Sequence, residues 1–139
     1  MTDTQQLYHY RITQAEETLA EAGQMLEAGM SPRSVTNRAY YSAFYMLLAL
    51  FLASGQKLST SKHTGVIGLF DVAYVKTGII EKEYSVILHR LFDRRLELDY
   101  KEFVDVSVDD ARQNVDSARR FVERLKKTIV SITPELATV

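Results

Sequence analysis

Cysteine is absent from the 139 residues, which removes disulfides, thiolate metal sites and cysteine nucleophiles together and fits an intracellular protein. Glycine and proline are scarce, at six and two residues, and strand-like alternation of apolar and polar residues is missing. The chain therefore reads as nearly all helix, with no internal repeat and no low-complexity segment. Long hydrophobic runs are missing too. The most apolar stretch, residues 39 to 53, spans 15 residues and includes three tyrosines and a serine, whereas a bilayer span needs about 20 apolar residues. It reads as a buried core helix, and no membrane association is expected. The opening MTDTQQLYHYR has no basic segment followed by an apolar one, so a signal peptide is not expected and a cytoplasmic location is.

What is present is enough chain for one substantial core. The expected organisation is a single up-and-down bundle of about five helices over residues 1–132, with a short flexible tail over 133–139. Net charge is only -1, but it is unevenly spread. Residues 1–29 carry one Arg against five acids, residues 30–101 ten Lys/Arg against six acids, and residues 102–139 six against seven. An anionic ligand would meet the middle of the chain.

The first helix is expected from about Thr4 to Ala28, with an apolar seam at Tyr8, Ile12, Ala15, Leu19, Ala22 and Leu26. Gly29 ends it. Ser31 and Pro32 are the N-cap and first residue of a second helix reaching Ser54-Gly55, antiparallel to the first. A third helix runs from about His63 to Lys76 and closes at Gly78. A fourth spans about Glu81 to Leu98, and a connector over Asp99 to Val106 leads to Ser107. Ser107 with Asp110 approximates a capping box for a last helix seamed by Ala111, Val115, Ala118, Val122, Leu125, Ile129 and Ile132.

Several polar residues fall on apolar faces. At about 100° per residue, Asn37 shares the aromatic face of the second helix with Tyr41, Phe44, Leu48 and Phe51, and Arg38 lies on its flank. Arg95 sits in the apolar stripe of the fourth helix with Leu88, Leu91 and Phe92, in line with Asp99. His63 shares a row with Ile67, Phe70 and Tyr74, while His89 projects with Arg90 on the polar side. Burying an unpaired amide costs roughly 1–3 kcal/mol and an unpaired guanidinium more, so these groups either satisfy one another or line a cleft. Asp99 can neutralise Arg95 or Arg38. The cluster is expected at one end of the bundle.

Three motifs taken in order, S-x-x-NRAYYSAFY at residues 34–45, KHTG-x-x-x-x-F at Lys62 to Phe70, and R-x-x-x-DY at Arg95 to Tyr100, resemble the HEPN-domain family. The likeness is to its small prokaryotic UPF0332-type members and covers roughly Leu7 to Lys127. The resemblance implies a compact, commonly dimeric bundle whose polar groups meet in a cleft for RNA or nucleotides, encoded beside a minimal nucleotidyltransferase as a toxin–antitoxin pair. Active members are metal-independent endoribonucleases marked by an Arg followed four to six residues later by a His. Here the fifth residue after Arg95 is Tyr100, preceded by Asp99, and no His follows Arg90, Arg94 or Arg95.

Cleavage of RNA through its own 2′-hydroxyl needs a proton acceptor, a proton donor and positive charge for the phosphorane. Arg95 supplies charge, Asp99 is its natural partner, and Tyr100 or His63 would have to handle protons. Asn37, Arg38, Tyr41, Lys62 and Arg94 complete the expected RNA- or nucleotide-binding surface. No metal and no cofactor is expected, because paired Glu-x-x-His signatures, phosphate-cradling Gly-rich loops and His-Glu metal spacings are all missing. The sequence thus leaves three readings: an RNA-binding module, an endoribonuclease with Tyr100 in place of His, and a structural bundle that binds a partner.

Overall fold

The computed structural model describes residues 1–136 and contains five α-helices: α1 (Asp3–Glu27), α2 (Pro32–Ser54), α3 (His63–Phe70), α4 (Lys82–Tyr100) and α5 (Val108–Ile132). Among the described residues there is no strand, so the fold is all-α. The helix starts are fixed by side chains. Thr2 with Gln5 and Ser107 with Asp110 form complete capping boxes on α1 and α5, and the Ser31 hydroxyl accepts the Ser34 amide at the start of α2. Each serves amides that have no intrahelical acceptor. At the end of α2, Gly55 turns the chain at φ 73°, and the amide of Gln56 closes on the Phe51 carbonyl at 2.8 Å.

α2 is the central element. It packs against α1, α5 and α4, and most of its circumference is buried, including Ala39, Tyr40, Ala43, Met46, Leu47, Leu50 and Phe51. Its alanines let neighbouring helices approach closely, as do Ala15 and Ala22 of α1 and Ala111 and Ala118 of α5, all fully buried. The seams expected on α1 and α5 are largely the buried ones, except that Leu19 and Leu26 are only partly buried, Ile132 stays 43 % exposed, and Thr18 and Phe121 join the buried set.

α3 is shorter than the periodicity predicts. After Phe70 the chain widens into a π-helical turn, Asp71–Val75, before Gly78. Asp71, which opens that turn, is gripped by α4: Ser85 Oγ donates to Oδ1 at 2.6 Å and His89 Nε2 lies 2.6 Å from Oδ2. His89 is thus a hydrogen-bond partner of Asp71 and not simply a solvated side chain. Tyr74 of the wide turn stacks on Phe51, with centroids 5.5 Å apart, and Phe70 meets Phe121 edge-on at 5.6 Å.

α4 extends two residues past the expected Leu98, so Asp99 and Tyr100 are helical and not part of the connector. Arg33 clamps this end: its guanidinium donates to the carbonyls of Leu98 and Val104. Within the connector Phe103 has φ 60°, a left-handed conformation costing a residue with a Cβ roughly 1–2 kcal/mol. At the C-terminus the expected flexible tail is partly corrected. Pro134–Leu136 form a 3₁₀ turn in which Leu136 packs on the core and Tyr8 bonds to Glu135. The remainder of that expectation, residues 137–139, lies outside the described residues.

Candidate functional site

The second half of α4 presents Arg95 to the aromatic pair Tyr40 and Tyr41 of α2. The guanidinium carbon lies 5.5 and 5.3 Å from the two ring centroids, and Nη2 donates to the Tyr41 hydroxyl at 3.0 Å. One turn further along α4, Asp99 brings Oδ2 to 2.9 Å from Nε. That contact is an ion pair out of line for a hydrogen bond, and the buried Nε–H has no aligned acceptor. Nη1 also has no partner among the described residues. Arg95 is 17 % exposed and Asp99 34 %, so the pair grazes the surface.

The first residue of α3, His63, closes the cluster. Its ring stacks on Phe44 at 4.0 Å and meets Tyr41 edge-on at 5.9 Å, and Nδ1 lies 2.6 Å from the Tyr40 hydroxyl. Burial, with the Arg95 charge adding to it, holds the imidazole below its ordinary pKa of 6.5, so His63 is neutral at pH 7. Tyr40 is wholly buried, and burial pushes its phenol well above the usual range against a smaller opposing effect of Arg95. The phenol therefore keeps its proton. Among the described residues its one acceptor is His63 Nδ1, which assigns the imidazole proton to Nε2. In that tautomer His63 offers a donor and not a base.

Of the expected site residues, the fold brings together Arg95, Asp99, His63 and Tyr41. Others are placed elsewhere. Tyr100 is 77 % exposed because five residues along a helix turn it about 140° away from Arg95; it cannot stand in for a histidine beside that guanidinium. Arg38 pairs with Glu21 of α1 at 3.3 Å. Arg94 turns toward α5, with Glu97 at 2.9 Å and Asp110 at 3.8 Å, and Lys62 is exposed at the N-cap of α3.

Asn37 is half-buried and makes no side-chain hydrogen bond among the described residues. The edge it shares with Tyr41, Tyr45, Leu48 and Leu52 is the half-exposed strip of α2 and not its core-facing side. Tyr40 is the residue that sequence reasoning missed. Its hydroxyl partner lies 23 positions away across a loop, beyond the reach of helical periodicity.

The cluster can bind acceptors. It offers a delocalised cation with an uncommitted Nη1 amino group, a neutral imidazole N–H and flanking aromatic faces, a set that suits phosphate oxygens and planar bases. Among the described residues no group of three or more His, Asp or Glu is arranged to hold a metal ion, and no helix is long and apolar enough to cross a membrane.

Comparison with known proteins agrees with the motifs. The family model described as HEPN domain matches residues 8–128. A UPF0332 protein of Thermotoga maritima is 34% identical over 129 residues, covering 93% of this chain and 96% of the relative. A Methanocaldococcus jannaschii protein, whose name describes it as a candidate toxin, is 33% identical over 118 residues, 85% of each chain. A UPF0332 protein of Pyrococcus horikoshii is 41% identical over 91 residues, 65% of this chain and 61% of the relative. A match across nearly the whole bundle, on a fold with the expected helices, means that this chain belongs to the HEPN-domain family.

Proposed function

We propose that this protein is the toxin-like HEPN component of a pair with a minimal nucleotidyltransferase, and that the Arg95 cluster binds RNA or a nucleotide through its phosphate. The observation that carries the reading is Arg95 itself, a guanidinium laid on two tyrosine rings whose Nη1 has no partner among the described residues. A phosphate oxygen would give Nη1 an acceptor and form a charge-assisted bond. The toxin name of the M. jannaschii relative supports the biological class. The half-exposed strip of Asn37, Tyr41, Tyr45, Leu48 and Leu52 on the central helix supports a homodimer, in which a second copy would wall the otherwise shallow site. A cytoplasmic setting follows from an RNA ligand.

Binding ranks ahead of cleavage because of the tautomer. With Nδ1 occupied by the Tyr40 hydroxyl, the neutral imidazole has no free lone pair to take a 2′-hydroxyl proton. A second reading, metal-independent cleavage, is favoured by the arrival of His63 in the Arg95 cluster. It requires the ring to adopt the other tautomer and Tyr40 to redirect its hydrogen.

The test is incubation of wild type and Arg95→Ala with single-stranded RNA in excess chelator. The expected result is intact RNA retarded by wild type and not by the variant at the same concentration. Equal retardation by both would overturn the assignment of the site. Cleavage by wild type that disappears in the variant would replace the binding reading with the catalytic one.

A further inference from the structure

Among the described residues, the most exposed large apolar side chain lies away from the Arg95 cluster. Phe103, in the connector between α4 and α5, is 98 % accessible, and Tyr100, three residues earlier, is 77 % accessible. Isolated exposed aromatics are common on protein surfaces. Phe103 differs because its backbone is also unfavourable: it is the one non-glycine with positive φ among the described residues. Glycine, which accepts that conformation freely, would be the default there. The bend is held from outside by Arg33, which grips Leu98 and Val104 on either side of it. A strained, externally clamped bend that presents a ring to solvent stabilises nothing within this chain.

The charge around these rings is negative in balance. Between Asp93 and Asp110, the cations Arg94 and Arg95 are taken up by Glu97, Asp110 and Asp99. Asp93, Glu102, Asp105 and Asp109 remain, all exposed and without an ion pair among the described residues, against two cations, Lys101 and the Arg33 guanidinium that grips the bend through carbonyls. An excess of carboxylates around the aromatic rings repels a phosphate backbone, which disfavours nucleic acid here. They complement a protein surface of the opposite sign.

We infer that Tyr100 and Phe103 are the apolar anchors of a docking surface for a protein partner that carries Lys or Arg around an apolar pocket. Clamping by Arg33 presents the anchors already ordered, which lowers the entropy lost on association. The unpaired carboxylates steer the basic partner and fix its orientation. This surface is separate from the RNA-binding proposal and stands or falls without it.

The experiment presents the full chain to a library of displayed random peptides, followed by titration of the most enriched synthetic peptide. Peptides with Lys or Arg flanking an apolar residue are expected. Their affinity should fall at least about tenfold for Phe103→Gly and for Glu102→Lys/Asp105→Lys, and weaken as salt is raised. Because glycine suits the backbone at 103, Phe103→Gly should keep or raise the melting temperature while losing the peptide, which separates docking from folding. No enrichment, enrichment of peptides without basic residues, or equal binding by Phe103→Gly would each overturn the inference. So would a Phe103→Gly variant that loses RNA retardation, or one that changes sedimentation, because the patch would then serve RNA or a second copy of this chain.

Discussion

Phe121→Ala is expected to lower the free energy of unfolding by about 3–5 kcal/mol, measured as urea transitions followed by circular dichroism. The side chain is wholly buried on α5, and its ring meets Phe70 of α3 edge-on at 5.6 Å. Truncation removes the transfer free energy of an aromatic ring. It also leaves a cavity between two helices that only partly collapses, since Phe70 is held on its other side by Tyr74, at 6.0 Å. Against a typical total of roughly 5–15 kcal/mol for a domain, the loss would be a large share of the whole. Ile132→Ala on the same helix, where the side chain is 43 % exposed, should cost under about 1 kcal/mol. A similarly small loss at position 121 would show that α3 does not depend on α5 for its place.

The second large effect concerns Arg95 and His63 together. Arg95→Ala should weaken RNA binding at least about tenfold, the size expected when a charge-assisted hydrogen bond to phosphate is lost. In the same variant the His63 titration midpoint, followed by NMR, should rise. It should stay below 6.5, because burial is the larger cause of the depression and Arg95 the smaller.

The linked effect on stability has a definite sign. The unfolded chain takes up the His63 proton as pH falls through about 6.5, and the folded chain does so only at lower pH. Stability conferred by the neutral folded imidazole is therefore fully present above 6.5 and is lost as pH falls through the folded midpoint. His63→Gln should remove that component from pH-resolved urea unfolding. An unchanged slope would place the acid sensitivity in other groups.

The helix boundaries were legible because capping chemistry is local: Ser31-Pro32, Gly55 and Ser107 with Asp110 act within a few residues of where they stand. The π-helical turn was not, since its anchors Ser85 and His89 belong to another helix. On α4, Arg95 and Asp99 could be paired from sequence because residues four apart share a face. Tyr100 was misread for the complementary reason: counting residues after an arginine ignores the direction in which each one points.

Asn37 shows a subtler limit. Its projection with Tyr41 and Leu48 was right, but Phe44 and Phe51 of the same face are buried, so the face straddles the boundary between core and surface. On this central helix the buried arc takes in rings and small residues alike, Tyr40, Phe44 and Phe51 with Ala39, Ala43 and Ala49, and Asn37, Tyr41 and Leu48 fall at its margin. Tyr40 reads as ordinary core until its hydroxyl is seen against His63.

The place of α3 in the bundle has a consequence for motion. Arg95 and the two tyrosines are held by α4 and by α2, which is enclosed on most sides, whereas His63 rides on an eight-residue helix at the periphery that continues into the wide turn. Short, sparsely packed elements open at lower free energy than the core they lie on. The α3 amides should therefore exchange with solvent by local opening while those of α2 wait for global unfolding. In each such opening the imidazole leaves the guanidinium and returns, so the site is broken and remade many times within the life of one intact bundle.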